Sequence, residues 1–157
     1  MIYKSTLITL IQLSTITAAT RLWRDCGETK ERVVFKRNRS EAPRRERDGL
    51  VSHILLHAGD FPETRLTVTW VDIDPGSGQR SHSHAPEQVY VVVRGRGKMK
   101  VGDKERLVTE GDLIYIPPDT LHGIENRSDE VLTYVSAATP TVDWEAFYDT
   151  GPLRART

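Results

Sequence analysis

The length, charge and cysteine content of the chain limit what it can be. Its 157 residues are enough for one domain with a hydrophobic core and too few for two domains of ordinary size. Basic and acidic side chains each total 22, so the overall charge favours neither nucleic acid nor an acidic surface as a partner. Cys26 is the single cysteine, which excludes an intrachain disulfide and a zinc site built from cysteines. No apolar run approaches the ~20 residues that cross a bilayer.

The first third of the chain differs from the rest in charge. Residues 1–48 carry eleven basic and six acidic side chains, and we predict that they form a poorly ordered extension. The apolar stretch 7–13 faintly resembles a secretory signal, but no small-x-small cleavage site follows it. The other explanation of this segment is that the natural protein starts near Val33 and that the residues before it are translated from an upstream start codon. The segment lacks the two amphipathic helices of a helix-turn-helix. We therefore expect a cytoplasmic protein that binds no nucleic acid and no membrane, with secretion as the weaker alternative.

From Leu50 onward, short runs rich in Val, Ile, Thr and Tyr alternate with breaks rich in Gly, Pro and Asp. Many short strands at regular spacing predict an all-β barrel over residues 49–139. Within it, Gly102 and Asp103 predict a two-residue hairpin turn. Residues 140–157 form the predicted tail, where a short helix packs Trp144 and Phe147 onto the barrel. The predicted strands are 50–57, 64–73, 80–84, 88–94, 97–101, 105–109, 112–116, 122–126 and 130–137.

Two histidines separated by one residue lie near the middle of the sequence. On a strand, His82 and His84 point to the same face, about 6.6–6.8 Å apart in rise, so both rings can reach one cation. Gln88 and His122 begin later strands and reach the same place from the side. Three imidazoles and an amide are costly to bury without a cation that organises them. The sequence therefore predicts a metal site made of His82, His84, Gln88 and His122.

These residues belong to two spaced patterns, Gly76-x5-His82-x-His84-x3-Gln88-x6-Gly95 and Gly111-x5-Pro117-x-Asp119-x2-His122-x3-Asn126. Both patterns resemble the paired signature motifs of the cupin superfamily, and the resemblance covers about residues 50–138. It implies a small single-domain cupin, in which a double-stranded β-helix (jelly-roll) barrel holds one divalent transition metal ion near its axis. The resemblance leaves the ion open among Mn, Fe, Ni, Zn, Co and Cu.

The sequence departs from the family motifs at two positions. Asp119 stands where the family usually has a glycine, and we expect little change in the backbone because aspartate tolerates the left-handed region. Gln88 stands where the family usually has a glutamate. A glutamine leaves both positive charges of a divalent ion uncompensated, so the ion would be held less tightly but would be a stronger Lewis acid. Glu87 and Glu125 adjoin the ligands, but strand alternation turns them to the opposite face.

Other side chains are assigned by their phase along the strands. Arg80 lies two residues before His82, and Tyr90 lies two residues after Gln88, so each shares a strand face with a predicted ligand. We therefore predict that Arg80 and Tyr90 face the metal and are the catalytic candidates. The predicted walls of the pocket are Trp70, Met99 and Tyr115. We predict that His53 and His57 are not ligands, because nothing in the sequence converges on them.

Three functions remain open at this point. The metal could act as a Lewis acid on a small oxygenated substrate in an isomerase, cyclase or lyase, which Gln88 favours because similar small cupins with glutamine have such roles. Alternatively, Fe, Mn or Ni could activate O2 in a dioxygenase. A third possibility is a module that binds or senses a small ligand without turnover. The edge of the first predicted strand and the family resemblance both favour a homodimer.

Overall fold

The computed structural model describes residues 34–147. They form two antiparallel sheets, of six strands in the order β1-β2-β3-β10-β5-β8 and of four strands in the order β4-β9-β6-β7. All nine predicted strands are present, and the all-β jelly-roll prediction is confirmed. The elements are a 3₁₀ turn at Arg39–Glu41 and the strands β1 (Arg44–Arg47), β2 (Leu50–Leu56), β3 (Thr67–Ile73), β4 (Gly78–His82), β5 (Glu87–Arg94), β6 (Arg96–Val101), β7 (Lys104–Thr109), β8 (Leu113–Ile116), β9 (His122–Glu125) and β10 (Leu132–Thr139).

The six-stranded sheet begins earlier than the sequence predicts. β1 lies inside the predicted extension 1–48 and pairs with β2 from Arg44 opposite His53 to Arg47 opposite Leu50. Its four residues are all charged, so neither hydrophobicity nor strand propensity indicates it. β1 covers the edge of β2 at which we expected a second copy of the chain to pair. The homodimer stays a prediction. The predicted signal and natural start at residues 1–33, and residues 148–157 of the tail, lie outside the described residues.

Polarity changes along the interior of the six-stranded sheet. At one end, Ala138 of β10 lies between Thr67 of β3 and Gln88 of β5. The next inward row has Ser136 between Thr69 and Tyr90. Further along, the rows are apolar and end at Leu132 opposite Ile73, both fully buried. The barrel therefore has a packed hydrophobic end and a polar end, and the polar end is where a site can form.

The glycines of the two spaced patterns lie in turns, as predicted. Gly95 has φ 80° and separates β5 from β6, and a Cβ at this position would lie 2.7 Å from the carbonyl oxygen of Val131. Gly76 and Gly111 also have positive φ. Asp119 takes φ 55°, which confirms that aspartate occupies a left-handed position here. Within residues 34–147, no helix is long and apolar enough to cross a membrane.

Candidate metal centre

A bulge in β4 decides which of its side chains face the interior. Gln79 pairs with Ile124, and His82 pairs with His122. Between these two pairs β4 advances by three residues while β9 advances by two, so β4 contains one extra residue. The extra residue places Gln79 and His82 on the same inward face, and both are buried. Gly123 lies opposite the bulge, where a Cβ would be 2.9 Å from the carbonyl oxygen of Gln79. The missing side chain lets the bulged strand approach β9.

The same bulge turns Arg80 away from the interior, so the predicted phase of Arg80 is wrong. Its guanidinium forms an ion pair with Asp48 at 2.5 Å. Arg80 lines a separate surface cavity that also contains Lys98 and Lys100, and it is absent from the lining of the cavity beside the histidines. Simple alternation assumes an unbroken ladder, which β4 does not have.

The structure brings the four predicted ligands together at the polar end of the barrel. His82 ends β4, His122 begins β9, and Gln88 is the second residue of β5. The predicted strand 80–84 ends at His84, but β4 ends at His82 and His84 lies in the β4–β5 loop. Its backbone oxygen accepts a hydrogen bond from the amide of Asp119 at 2.9 Å. This bond ties the turn of the second pattern to the histidine pair of the first.

The three imidazoles are in direct contact. The ring centroid of His122 lies 4.3 Å from that of His82 and 4.9 Å from that of His84. One ring nitrogen from each histidine can be chosen so that all three lie within 4.8 Å of one another. Nitrogens that share one ion at about 2.0–2.1 Å each lie at most about 4.2 Å apart, so small movements of the rings would bring all three into ligand distance of one ion.

Backbone carbonyls fix the tautomer of each ring. The Nδ1 atoms of His82, His84 and His122 lie 2.8 Å from the backbone oxygens of Arg80, Pro86 and Thr120 respectively. A carbonyl oxygen only accepts hydrogen bonds, so each Nδ1 carries the proton and donates it. In the neutral ring, Nε2 then presents a lone pair. A metal-binding histidine usually donates a hydrogen bond of this kind from the ring nitrogen that does not bind the metal.

The lone pairs at the centre have no protein donor to satisfy them. Nε2 of His122 is buried and has no hydrogen-bond partner. Nε2 of His84 lies 3.0 Å from Oε1 of Gln88, so two acceptors face each other once Nδ1 holds the proton. A cation that accepts both lone pairs resolves this conflict, and the donor set of imidazoles and an amide oxygen suits a divalent transition ion. The residues present therefore fit the metal that the fold family implies.

Burial keeps the histidines in the form that binds metal. The pKa of His82 is lowered to about 4, mainly by loss of hydration; the bond to the carbonyl of Arg80 opposes the shift, and the neighbouring His122 and His84 contribute to it. Burial is also the main cause of the lowered pKa of His122. Near neutral pH both rings are uncharged and their Nε2 atoms are available.

The cavity beside the cluster is small, about 30 Å³, and its walls combine apolar side chains with polar, uncharged ones. Among residues 34–147, no Asp, Glu, Lys or Arg side chain lines it. The polar walls leave a signal in the sequence, because polar residues occupy inward positions in otherwise apolar strands. The residues that this signal could have identified are Thr67, Thr69, Tyr134 and Ser136.

None of the three predicted walls, Trp70, Met99 and Tyr115, lines the cavity. Trp70 points to the outer face of β3, where its indole donates to Asp72, because the inward phase of β3 belongs to Thr69 and Val71. Tyr115 is 52% exposed and donates to the carboxylate of Glu87. Met99 is buried in the hydrophobic core but does not line the cavity.

Tyr90 faces inward as predicted, but its hydroxyl does not meet the cavity. The hydroxyls of Tyr90 and Tyr134 both donate to Oε1 of Gln79, at 2.7 Å and 3.1 Å, and their rings stack at 4.4 Å. The ring of Tyr90 also contacts that of His122 edge-on at 6.1 Å. Tyr90 thus braces Gln79 and His122, whereas Gln79 and Tyr134 line the cavity.

The carboxylates nearest in sequence to the ligands face outward, as predicted. Glu87 accepts from Tyr115, and Glu125 pairs with Arg127 on the surface. His53 and His57 also lie outside the cluster, and the ring of His57 packs against Trp144 at 5.7 Å.

Known proteins share this sequence pattern and this fold. The family model of the cupin domain matches residues 69–138, which contain all four candidate ligands. An uncharacterized protein of Methanocaldococcus jannaschii is 31% identical over 100 residues, which are 63% of this chain and 80% of that protein. This chain belongs to the cupin family. The family assignment agrees with both spaced patterns in the sequence and with the three-histidine cluster in the structure.

Solved cupin structures resemble this chain over about 70% of its length. A cupin from Shewanella frigidimarina, described as RmlC-like, has a TM-score of 0.60 and 20% identity, covering 71% of this chain and 95% of its own. A predicted oxalate decarboxylase from Thermotoga maritima has a TM-score of 0.62 and 17% identity, covering 68% of this chain and 99% of its own. At these identities the likeness extends to the cupin fold and leaves the reaction open.

Proposed function

We propose that this cupin is a metal-dependent enzyme in which His82, His84, His122 and Gln88 hold one divalent transition ion. The bound ion would act as a Lewis acid on an oxygen of a small substrate, in a reaction of the isomerase, cyclase or lyase type. The observation that carries the proposal is the set of unsatisfied lone pairs that face one point, above all the buried Nε2 of His122.

The uncharged ligand set supports Lewis-acid chemistry. Three neutral imidazoles and an amide leave both charges of a divalent ion in place, and no carboxylate lines the cavity within residues 34–147. An oxygen that carries or develops negative charge is therefore the group this site would stabilise most. A small hydroxy acid, keto acid or dicarboxylate has such an oxygen.

The side chains around the ion would bind and orient the rest of the substrate. The hydroxyls of Thr69 and Ser136 and the amide of Gln79 line the cavity and can donate or accept hydrogen bonds. Tyr90 and Tyr134 hold the carbonyl oxygen of Gln79, which fixes the orientation of its amide. These groups suit a polar, oxygen-rich substrate.

The test is substrate conversion by the protein loaded with Zn²⁺, Mn²⁺, Ni²⁺, Co²⁺ or Fe²⁺ under anaerobic conditions. The panel contains small hydroxy acids, keto acids, enols and oxalate, the last because a neighbour in fold is described as a predicted oxalate decarboxylase. We expect at least one isomerised, cyclised or cleaved product by NMR, and loss of the product in His122→Ala. Conversion that needs O2 and consumes it would instead identify a dioxygenase. Metal binding without conversion in either atmosphere would favour a binding or sensing module.

A further inference from the structure

The segment that follows β10 lies over the histidine cluster. We call residues 140–147 the strap. Its last residue, Phe147, places its ring edge-on against two of the predicted ligands, with centroid distances of 5.3 Å to His82 and 5.8 Å to His84. Val142 and Trp144 line the same cavity from the same side. The polar end of the barrel is thus closed by apolar side chains.

Three kinds of contact hold the strap in this position. The backbone amide of Val142 donates to the hydroxyl of Thr67 at 2.9 Å, and that hydroxyl lies 3.4 Å from the carbonyl oxygen of Val142. Trp144 packs against His57 at 5.7 Å and lies under the guanidinium of Arg45 at 4.7 Å.

Asp143 supports the turn that carries Phe147. Its backbone oxygen accepts from the amide of Phe147 and its carboxylate accepts from the amide of Ala146, both at 3.0 Å. These bonds direct the chain back over the cluster, and the aromatic ring of Phe147 therefore has a defined place above His82 and His84.

The closed arrangement leaves room for very little beside the cluster. The cavity has a volume of about 30 Å³, which is enough for a few water-sized molecules. Pockets for substrates and drug-sized ligands measure roughly 300–1,000 Å³. A molecule of more than a few heavy atoms can reach the histidines only when Phe147 moves away.

We propose that Phe147 determines the size of the molecules that reach the histidine cluster, and that the strap must open for larger ones. This inference deepens the proposed function, because it concerns access to the same site. Small anions such as formate would reach the cluster past a nearly closed strap. Planar or branched molecules would wait for the Thr67–Val142 contact to break, as with other covers of active sites. The strap is held on the barrel by one hydrogen-bonded contact to Thr67 and by the packing of Trp144 against His57 and Arg45, so opening breaks these contacts and leaves the strand pairing of the barrel intact.

The first experiment uses metal-free protein and therefore does not depend on metal binding. Diethyl pyrocarbonate modifies accessible histidines, and peptide mapping measures the rate at each one. We expect Phe147→Ala to raise the rate at His84 by about fivefold or more relative to His53, because the strap no longer covers the ring. Glu145→Ala, an exposed change in the same turn, is the matched control and should leave the rate unchanged. Equal rates at His84 in Phe147→Ala and the unchanged protein would overturn the proposal.

Thr67→Val is a second variant, which keeps Phe147 and removes the hydroxyl that binds Val142. We expect a faster reaction at His84 here too, because the strap opens more often. If Phe147→Ala accelerates the reaction and Thr67→Val does not, Phe147 is supported as the size determinant, but opening of the strap at the Thr67–Val142 contact is refuted.

The second experiment uses the Co²⁺-loaded protein and reads anion binding from the visible absorption of the ion. We expect formate to bind to the unchanged protein and to Phe147→Ala, and benzoate to bind tightly only to Phe147→Ala. Equal benzoate affinity in both proteins would contradict the proposal. A protein that binds no Co²⁺ would refute the proposed function, while the modification rates would still decide the role of Phe147.

Discussion

Nε2 of His84 lies 3.0 Å from Oε1 of Gln88, although Nδ1 of the same ring already donates its proton to the carbonyl oxygen of Pro86. Two lone pairs at this distance repel each other, and a cation that accepts both, or a turn of the amide that lets its NH2 donate to Nε2, removes the repulsion. The contact joins a loop residue of the first spaced pattern to a strand residue of β5, and it places the amide that distinguishes this chain directly beside the histidines. Gln88 is therefore the position where the charge of the site can be changed with the least change in shape.

Gln88→Glu should raise the affinity for divalent ions. A carboxylate adds a negative charge within ligand distance and can use the same side-chain length, so we expect about a tenfold or greater gain for Zn²⁺ or Mn²⁺. Titration calorimetry on the metal-free proteins measures it. Glu87→Gln is the matched control, because it makes the reverse change one residue away on the outer face of the same strand. Unchanged or lower affinity in Gln88→Glu would show that Gln88 does not contact the ion.

Arg80→Ala should leave metal affinity within about twofold of the unchanged protein. The side chain pairs with Asp48 at the surface and lines a different cavity, so its loss costs at most about 1 kcal/mol of stability. Metal titration and urea unfolding measure the two quantities. A large loss of metal affinity would mean that the β4 bulge is not present in solution and that Arg80 faces the cluster.

Gln79→Leu should destabilise the protein by about 1–3 kcal/mol, because the hydroxyls of Tyr90 and Tyr134 lose a buried acceptor. Tyr90→Phe should then cost less in the Gln79→Leu background than it does alone. A double-mutant cycle from urea unfolding measures this coupling. Additive free energies would show that the contact between Tyr90 and Gln79 contributes nothing to stability.

The stability of the metal-free protein should fall as the pH is lowered from about 6.5 to about 4. In this range the unfolded chain takes up a proton at His82 and the folded protein does not, since burial lowers the folded pKa to about 4. The loss attributable to His82 is about 3 kcal/mol at most, and it is complete once the folded ring also protonates. Urea unfolding at several pH values measures it. His82→Gln should flatten the slope, whereas an equally steep slope in that variant would assign the effect to other groups.

The sequence predicts the strands and the four candidate ligands well, for a local reason. Turn residues mark the ends of short β-rich runs, and the spacing of His82, His84, Gln88 and His122 is visible without any tertiary contact. Where the predictions fail, the cause is an interaction between distant segments.

The failures have physical explanations at particular residues. The bulge that turns Arg80 outward exists because Gly123, on another strand, lets β4 approach, which strand alternation cannot reveal. β1 forms from four charged residues because β2 offers it hydrogen bonds, not because its own side chains favour a strand. Trp70 is predicted to line the pocket, but it lies on the outer face of β3 because the inward positions of that strand belong to Thr67 and Thr69.

The most direct test of the central claim is metal binding by the unchanged protein and by His122→Ala. Co²⁺ titration of the metal-free proteins, followed by absorption and thermal melting, gives the stoichiometry and the stabilisation together. Our account predicts one ion per chain and a higher melting temperature for the unchanged protein. It predicts loss of both in His122→Ala, which should keep a folded barrel by circular dichroism, and retention of both in His53→Ala. Failure of the unchanged protein to bind an ion, or full binding by His122→Ala, would contradict the account.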